Sequence, residues 1–401
     1  MTVFHKFAAL RVSDEPAVRL SAFYVAVFLI VGTYMSFLPL WLAAKGLSAT
    51  QISLIYAIPV LMRPVFTTVL AFFADRSGRH AWVLKMLALG ALLSLSILPF
   101  GDGFALIFVA FTLFAVFWTT VLPLTDAVTL SASRRGAADY GRIRLWGSLS
   151  YIAVTLAGGV AVDLFGPPAA LWLFIGSAIC VLLAAQWLPH MDAINSEPGT
   201  DLRKIRLSDV AALVRMPMLW LFLAASSAVQ ATHAVYYLFG TIHWTGIGIS
   251  PTVVGMLWAI GVVTEIAVFA YGGRLVRSIG PMQLILIGGL TAALRWTLIS
   301  FDPPLAALFV LQLTHGLTFG GTYLGTMIFM TRAFPPHVAA TVQGLSSSFS
   351  AGVAIGSAYL AAGPLYRAFG AGAYLSMAGL AVVAVALTLA LRRRWDGGIL
   401  C

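Results

Sequence analysis

The chain reads as twelve long apolar runs separated by short polar intervals. They span roughly 20–44, 51–74, 81–99, 104–132, 144–166, 168–188, 213–242, 250–272, 281–300, 305–331, 338–363 and 368–391. About 20 apolar residues suffice to cross a bilayer as a helix. Inside lipid every backbone polar group needs an internal partner, and runs of this length meet that need only as helices. Barrel strands are about half as long and alternate in polarity. The pattern therefore predicts an all-α integral membrane protein with twelve transmembrane helices. One polar interval is much longer than the rest: 189–212, which contains "NSEPGTDLRK". It divides the chain into a six-helix bundle at 1–188, a central loop at 189–212 and a second six-helix bundle at 213–401. No other loop has room for a soluble catalytic domain.

The two halves repeat. At an offset of 202 residues, "GLSATQISLIYAI" (46–58) overlies "GISPTVVGMLWAI" (248–260), and Gly78 falls on Gly280. An even number of spans in each half makes the repeats parallel. Two such bundles are related by an axis along the membrane normal and enclose a central cavity.

Composition agrees with the pattern: 60% of residues are hydrophobic and 9% are charged. A soluble domain carries about 25% charged residues. The net charge of +10 sits in short loops, so it reads as membrane topology and not as a nucleic-acid surface. Lysines and arginines collect on the side holding both termini, with Lys45 and Arg367 opposite, which predicts cytoplasmic termini. The two cysteines, Cys180 and Cys401, offer neither a disulfide framework nor metal-ligand spacing.

Ionisable residues inside spans are costly and are read as functional by default. Arg63 lies in the second span and Glu265 in the eighth, at equivalent repeat positions with opposite charge. Asp126 in the fourth span and Arg144 in the fifth flank one loop, each about 10 Å inside its end at 1.5 Å per residue. Asp126 is thus the acid expected to meet Arg144, as a structural pair or as part of a site. Arg295 in the ninth span is an anchor or the partner of Glu265, and His233 and His315 occupy the seventh and tenth. Three arginines against two acids leave one surplus guanidinium, suited to a carboxylate through bidentate hydrogen bonds. Tyr34, Trp118, Trp146, Tyr151, Tyr236, Tyr237 and Tyr323 either line an aromatic-accepting site or simply pack. In "ADRSGRH" (74–80), Asp75, Arg76, Gly78 and Arg79 form either a topogenic loop or a clamp between helix ends that favours one of two rocking states. The glycine pairs Gly316/Gly320, Gly321/Gly325 and Gly352/Gly356 suit close helix contacts.

Over its whole length the chain resembles the major facilitator superfamily. "ADRSGRH" is similar to that superfamily's loop 2–3 signature. "LPLTDAVTL", "DYGRIRLWGS", "ATHAVYY", "GVVTEIAVFA", "ALRWTLIS" and "QLTHGLTFG" resemble the phenylpropionic acid transporter family and, more distantly, lactose and nucleoside permeases. The resemblance implies proton symport of a small aromatic carboxylate across a bacterial inner membrane. It implies no cofactor, a proton gradient as energy source, and function as a monomer. It places Asp126 and Arg144 at the substrate, and Glu265, Arg295 and His315 in proton coupling; Trp146, Tyr151, His233, Tyr236, Tyr237 and Arg63 join the substrate site as candidates on their own chemistry and place in the spans. One departure stands out. Lactose permease carries a proton-bearing glutamate one turn after its helix 10 histidine, where this chain has Thr318, so Glu265 becomes the leading proton carrier. Import of nucleosides or oligosaccharides, or drug export, are the alternatives within transport. A polytopic enzyme would need a catalytic constellation near one interface, and the chain shows no metal spacing and no nucleophile elbow.

Overall fold

The computed structural model describes residues 15–134, 139–188 and 207–400, and among these there is no strand. Among the described residues we distinguish twelve membrane-spanning helices. We label them α1 (Glu15–Ser36, continued by Leu38–Ala44), α2 (Ala49–Ser77), α3 (His80–Leu95), α4 (Phe104–Trp118 and Val121–Arg134), α5 (Tyr140–Phe165) and α6 (Pro168–Trp187) in the first half. The second half holds α7 (Pro217–Ala231 and Ala234–Gly246), α8 (Pro251–Ala270), α9 (Pro281–Ile299), α10 (Leu305–Leu313 and Thr322–Ala333), α11 (Ala339–Ser348 and Ile355–Phe369) and α12 (Ala373–Arg394). The last continuous stretch, Thr341–Arg394, is 54 residues long. It holds two crossings because Gly370, at φ 54°, turns the chain. The polar interval 189–212 lies largely outside the described residues, and Leu207–Val214 at its end is a short helix.

The repeat is visible in backbone geometry. Ser48 and Ser250 are both N-caps, accepting from Gln51 N and Val253 N. Gly46 and Gly248 both have positive φ, and so do Gly78 and Gly280. These are turn positions that only glycine adopts at no steric cost.

Several spans start or break where apolar periodicity alone does not place them. α5 begins at Tyr140 and not near 144, because the Asp139 carboxylate caps it by accepting from Arg142 N. Arg144 consequently sits about 6 Å inside this helix. α10 and α11 each pass through a π-helical segment, Gly316–Gly321 and Phe349–Ala354, a local widening that frequently marks functional sites.

The face carrying Glu15 and Arg394 is the terminal face. The halves are joined away from it. Thr241 donates to the Ser36 carbonyl across the halves and itself receives Trp258 Nε1 at 3.0 Å. The Ser36 carbonyl is free because Leu40 N turns to Phe37 O at the break in α1. Ser53 donates to Tyr359 O and accepts from Gly363 N, and Thr252 donates to Asp163 at 2.6 Å. Among the described residues no hydrogen bond or ion pair joins the halves at the terminal face.

Close backbone approach seals the joined face. A Cβ on Gly255 in α8 would lie 2.3 Å from the Thr155 carbonyl oxygen of α5. Gly255→Val should therefore force α5 from α8 and weaken this closed state. A cysteine at Ser36, wholly buried here, should react with a membrane-impermeant thiol reagent at least about tenfold faster in that background, a shift of about 1.4 kcal/mol in the opening equilibrium. Unchanged reactivity would show that this crossing does not hold the face shut.

Candidate substrate site

Residues three or four apart share a helix face. On α5 this aligns Tyr140, Arg144 and Tyr151, and on α1 Tyr24 and Phe28. The Arg144 guanidinium lies over the Phe28 ring, 4.2 Å from its centroid. Gly147 admits that ring, since a Cβ there would stand 2.7 Å from Phe28 Cδ2. Asp126, on the neighbouring α4, does not bond Arg144. Its Oδ1 accepts the hydroxyl of Tyr24 and, at 3.2 Å, that of Tyr140. The expected acid meets Arg144 only through the field. The guanidinium is half-buried, with no hydrogen-bond or ion-pair partner among the described residues, so its donor fork is free.

Glu265, half-buried on α8, also has no hydrogen bond among the described residues. Arg144, from the other half of the molecule, acts on it electrostatically. The side chain has room because Gly320 of α10 faces it, where a Cβ would lie 3.5 Å from Glu265 Cγ. Tyr151 and Tyr237, both buried, lie within electrostatic range of Glu265 and of each other. The site thus spans the halves, with Arg144, Tyr151 and Asp126 from one and Glu265 and Tyr237 from the other.

The expected pairing of Glu265 with Arg295 is not formed. Arg295 is wholly buried within the second half. It donates to Gln312 Oε1 at 2.6 Å, His315 Nδ1 at 3.1 Å and Thr318 Oγ1 at 3.3 Å, and lies over the Trp296 ring at 4.5 Å and the Tyr236 ring at 5.2 Å. Arginine has no acceptor, so the His315 nitrogen facing it is the unprotonated one. His233 bridges the Gln230 carbonyl at 3.2 Å and Thr318 Oγ1 at 3.1 Å. Arg295, His233, His315 and Tyr236 therefore form one polar network behind Tyr237, and Thr318 is its hub.

Two further expectations change. Trp146 stands 200° around α5 from Arg144 at 100° per residue and is 46% exposed. It shares the outward face with Leu149 and Leu156 and does not line the site. Arg63 is not brought to this cluster; it lines a separate crevice between α2, α4 and α11. Tyr34 belongs to an aromatic stack with Tyr56 and Phe111 inside the first half, where Trp118 stacks on Phe114. At the terminal end of α2, Asp75 pairs with His80 Nε2 at 3.0 Å, which ties α2 to α3 within one half. Gly78 ends α2 at φ 63°. Arg76 and Arg79 are exposed, and no hydrogen bond or ion pair among the described residues carries them to the other half.

Sequence reasoning passed over Tyr24, Phe28, Tyr140 and Gln312. The first three were marked by spacing: Tyr24 and Phe28 are one turn apart, and Tyr140 is one turn before Arg144. A cavity of about 760 Å³ is a different place, an outer groove among α1, α5 and α6 lined by residues such as Leu29, Val154, Trp172 and Cys180 and, among the described residues, by no charged side chain.

Comparison with known proteins agrees with this architecture. The model of the MFS_1 like family matches residues 17–376. The chain is 29% identical over 367 residues to a probable 3-phenylpropionic acid transporter of Escherichia coli (strain K12), covering 91% of this chain and 95% of that protein. It is 26% identical over 385 residues to a maltose permease of Geobacillus stearothermophilus, covering 94% and 95%. The crystal structure of the nucleoside transporter NupG superposes with a TM-score of 0.80 at 16% identity, covering 96% of this chain and all of that one. These relatives are membrane transporters and not enzymes. The chain belongs to the MFS_1-like family, a group of the major facilitator superfamily of multi-pass membrane transporters.

Proposed function

We propose that the protein imports a small aromatic carboxylate together with a proton by alternating access, working as a monomer in a bacterial inner membrane with both termini cytoplasmic. The observation that carries this reading is the free donor fork of Arg144. Asp126, the nearby acid, is occupied by two tyrosine hydroxyls, so the guanidinium is available to a bidentate carboxylate. Phe28, Tyr140, Tyr151 and Tyr237 supply aromatic surface around it. The relative named for 3-phenylpropionic acid supports the same class of solute. Glu265 is the proton carrier in this reading, because it is the acid in the site with no hydrogen bond of its own. The joined face is periplasmic, which makes this conformation inward-facing. His233, Tyr236, Arg295 and His315 act behind Tyr237 and do not touch the solute.

The test is uptake into proteoliposomes of labelled 3-phenylpropionate, a nucleoside and maltose, with and without an imposed inward proton gradient. Accumulation of the aromatic acid that requires the gradient is the expected result. Accumulation of the nucleoside or of maltose in its place would overturn the solute assignment. Accumulation of the acid without regard to the gradient would overturn the coupling.

A further inference from the structure

Arg63 presents a problem that the central site does not solve. It is partly buried in the middle of α2, and among the described residues it has no ion pair and no hydrogen bond. Burying a charge without a partner is costly, so an acceptor is missing from this place. The guanidinium opens into a crevice of about 250 Å³ between α2, α4 and α11, lined also by Thr67, Thr68, Pro123, Ser347 and Ser348. Among the described residues no carboxylate lines it. Thr67 Oγ1 is buried there without a partner, and Thr67 lies one turn from Arg63 on the same helix face. Ser347 and Ser348 likewise make no side-chain hydrogen bond among the described residues. Thr68 is the exception, spending its proton on the Pro64 carbonyl at 2.7 Å. A guanidinium, three unengaged hydroxyls and no acid are the donor set of an oxyanion site.

We infer that this crevice is a second anion site, one that takes a small carboxylate or phosphate group. Its size accommodates a compact anion, given that water occupies about 30 Å³ per molecule. Its lining is distinct from that of the central site: Arg144 and Glu265 stand on α5 and α8, whereas this crevice is walled by α2, α4 and α11, and the two share only α4, which carries Pro123 here and Asp126 there. Both halves contribute, Arg63 and Thr67 from one and Ser347 and Ser348 from the other. Above it, Gly352 packs on Pro64, where a Cβ would lie 2.7 Å from Pro64 Cγ. An anion held here ties α2 to α11. The site therefore exists only while those helices keep this spacing, and its occupant stabilises the conformation described. The inference rests on the proposed function only where the anion is the transported solute itself.

The test uses the full-length protein in lipid nanodiscs, with acetate and inorganic phosphate as probes and 3-phenylpropionate in a separate arm. A ligand that binds the folded state raises Tm by mass action. The wild type should show a saturable rise in Tm with acetate or phosphate. Arg63→Gln should weaken the responding probe at least about tenfold and the joint Ser347→Ala and Ser348→Ala variant about threefold or more, where tenfold corresponds to about 1.4 kcal/mol. A response confined to acetate identifies a carboxylate as the occupant, and one confined to phosphate identifies free phosphate; either supports the site. Arg63→Lys keeps the charge and guards against a variant that merely fails to fold; it should retain part of the response. No response in the wild type, or one unmoved in both Arg63→Gln and the serine variant, overturns the inference. Absence of 3-phenylpropionate binding in the wild type would count against the central-site assignment alone and leave the Arg63 result to be read on its own.

Discussion

Arg144→Lys is expected to lower uptake of the aromatic acid about 30- to 100-fold while leaving the protein folded. Lysine keeps the positive charge but replaces a planar two-donor fork with a single rotating ammonium. Loss of one charge-assisted hydrogen bond removes about 1.5–3 kcal/mol, and every 1.4 kcal/mol is a tenfold change. Lysine also gives up part of the guanidinium's stacking on Phe28, where the present separation is 4.2 Å. Folding should survive because Arg144 makes no hydrogen bond or ion pair among the described residues, so no buried partner is orphaned. Asp126→Asn is the control. Asparagine still accepts from Tyr24 and Tyr140, so its effect should be several-fold smaller. The measurement is initial uptake rate and equilibrium binding in the same proteoliposomes, normalised to folded protein. Uptake by Arg144→Lys within about threefold of wild type would remove Arg144 from the solute.

The helices were legible because lipid leaves so few solutions for a long apolar run. The repeat was legible because turns constrain residue type: Gly46, Ser48 and Gly78 recur at Gly248, Ser250 and Gly280 for reasons of φ and capping that packing cannot override. The charged positions were also legible, since a charge inside a span is rare. Partner choice was not. Asp126 and Arg144 flank one loop, yet two tyrosine hydroxyls reach the carboxylate, because α1 packs along α5 and presents Tyr24 and Phe28 side by side. Arg295 and Glu265 share a bundle, yet Gln312 captures the guanidinium. Glutamine carries no charge and so gave no signal in a search for ionisable residues. Trp146 failed for a simpler reason: two positions along a helix from Arg144 is nearly the opposite face. A run that is apolar all round cannot reveal which face meets lipid and which meets a partner helix.

Glu265→Gln is expected to abolish accumulation driven by the proton gradient while sparing exchange. A carboxyl group can hold a proton while its surroundings are dry and give it up when water or a cationic neighbour favours the ion. Glu265 stands where both influences change as the halves rock. Its surroundings include Tyr151 and Tyr237, and its cationic neighbour Arg144 belongs to the other half. Rocking about the joined face alters the distance between these two helices, and a carboxylate of the solute arriving at Arg144 competes with Glu265 for the same guanidinium. Under the proposed function, proton and solute are coupled through one arginine: a negative solute satisfies Arg144 and frees Glu265 to take the proton. Glutamine reproduces the protonated acid in shape and charge but has nothing to release. Glu265→Gln should therefore bind the acid within about threefold of wild type and sustain solute exchange across a membrane without a gradient. Its steady-state accumulation with an imposed gradient should fall to the equilibrium level, a loss of about tenfold for each pH unit imposed, since one proton moving down one unit contributes about 1.4 kcal/mol. Gradient-driven accumulation at the wild-type level in Glu265→Gln would rule out this carboxylate as the coupling group. His315 is a poor substitute in that event, because its Nδ1 is already engaged by the Arg295 guanidinium at 3.1 Å. The search would move instead to Asp126, whose carboxylate is held by Tyr24 and Tyr140 within the field of the same Arg144.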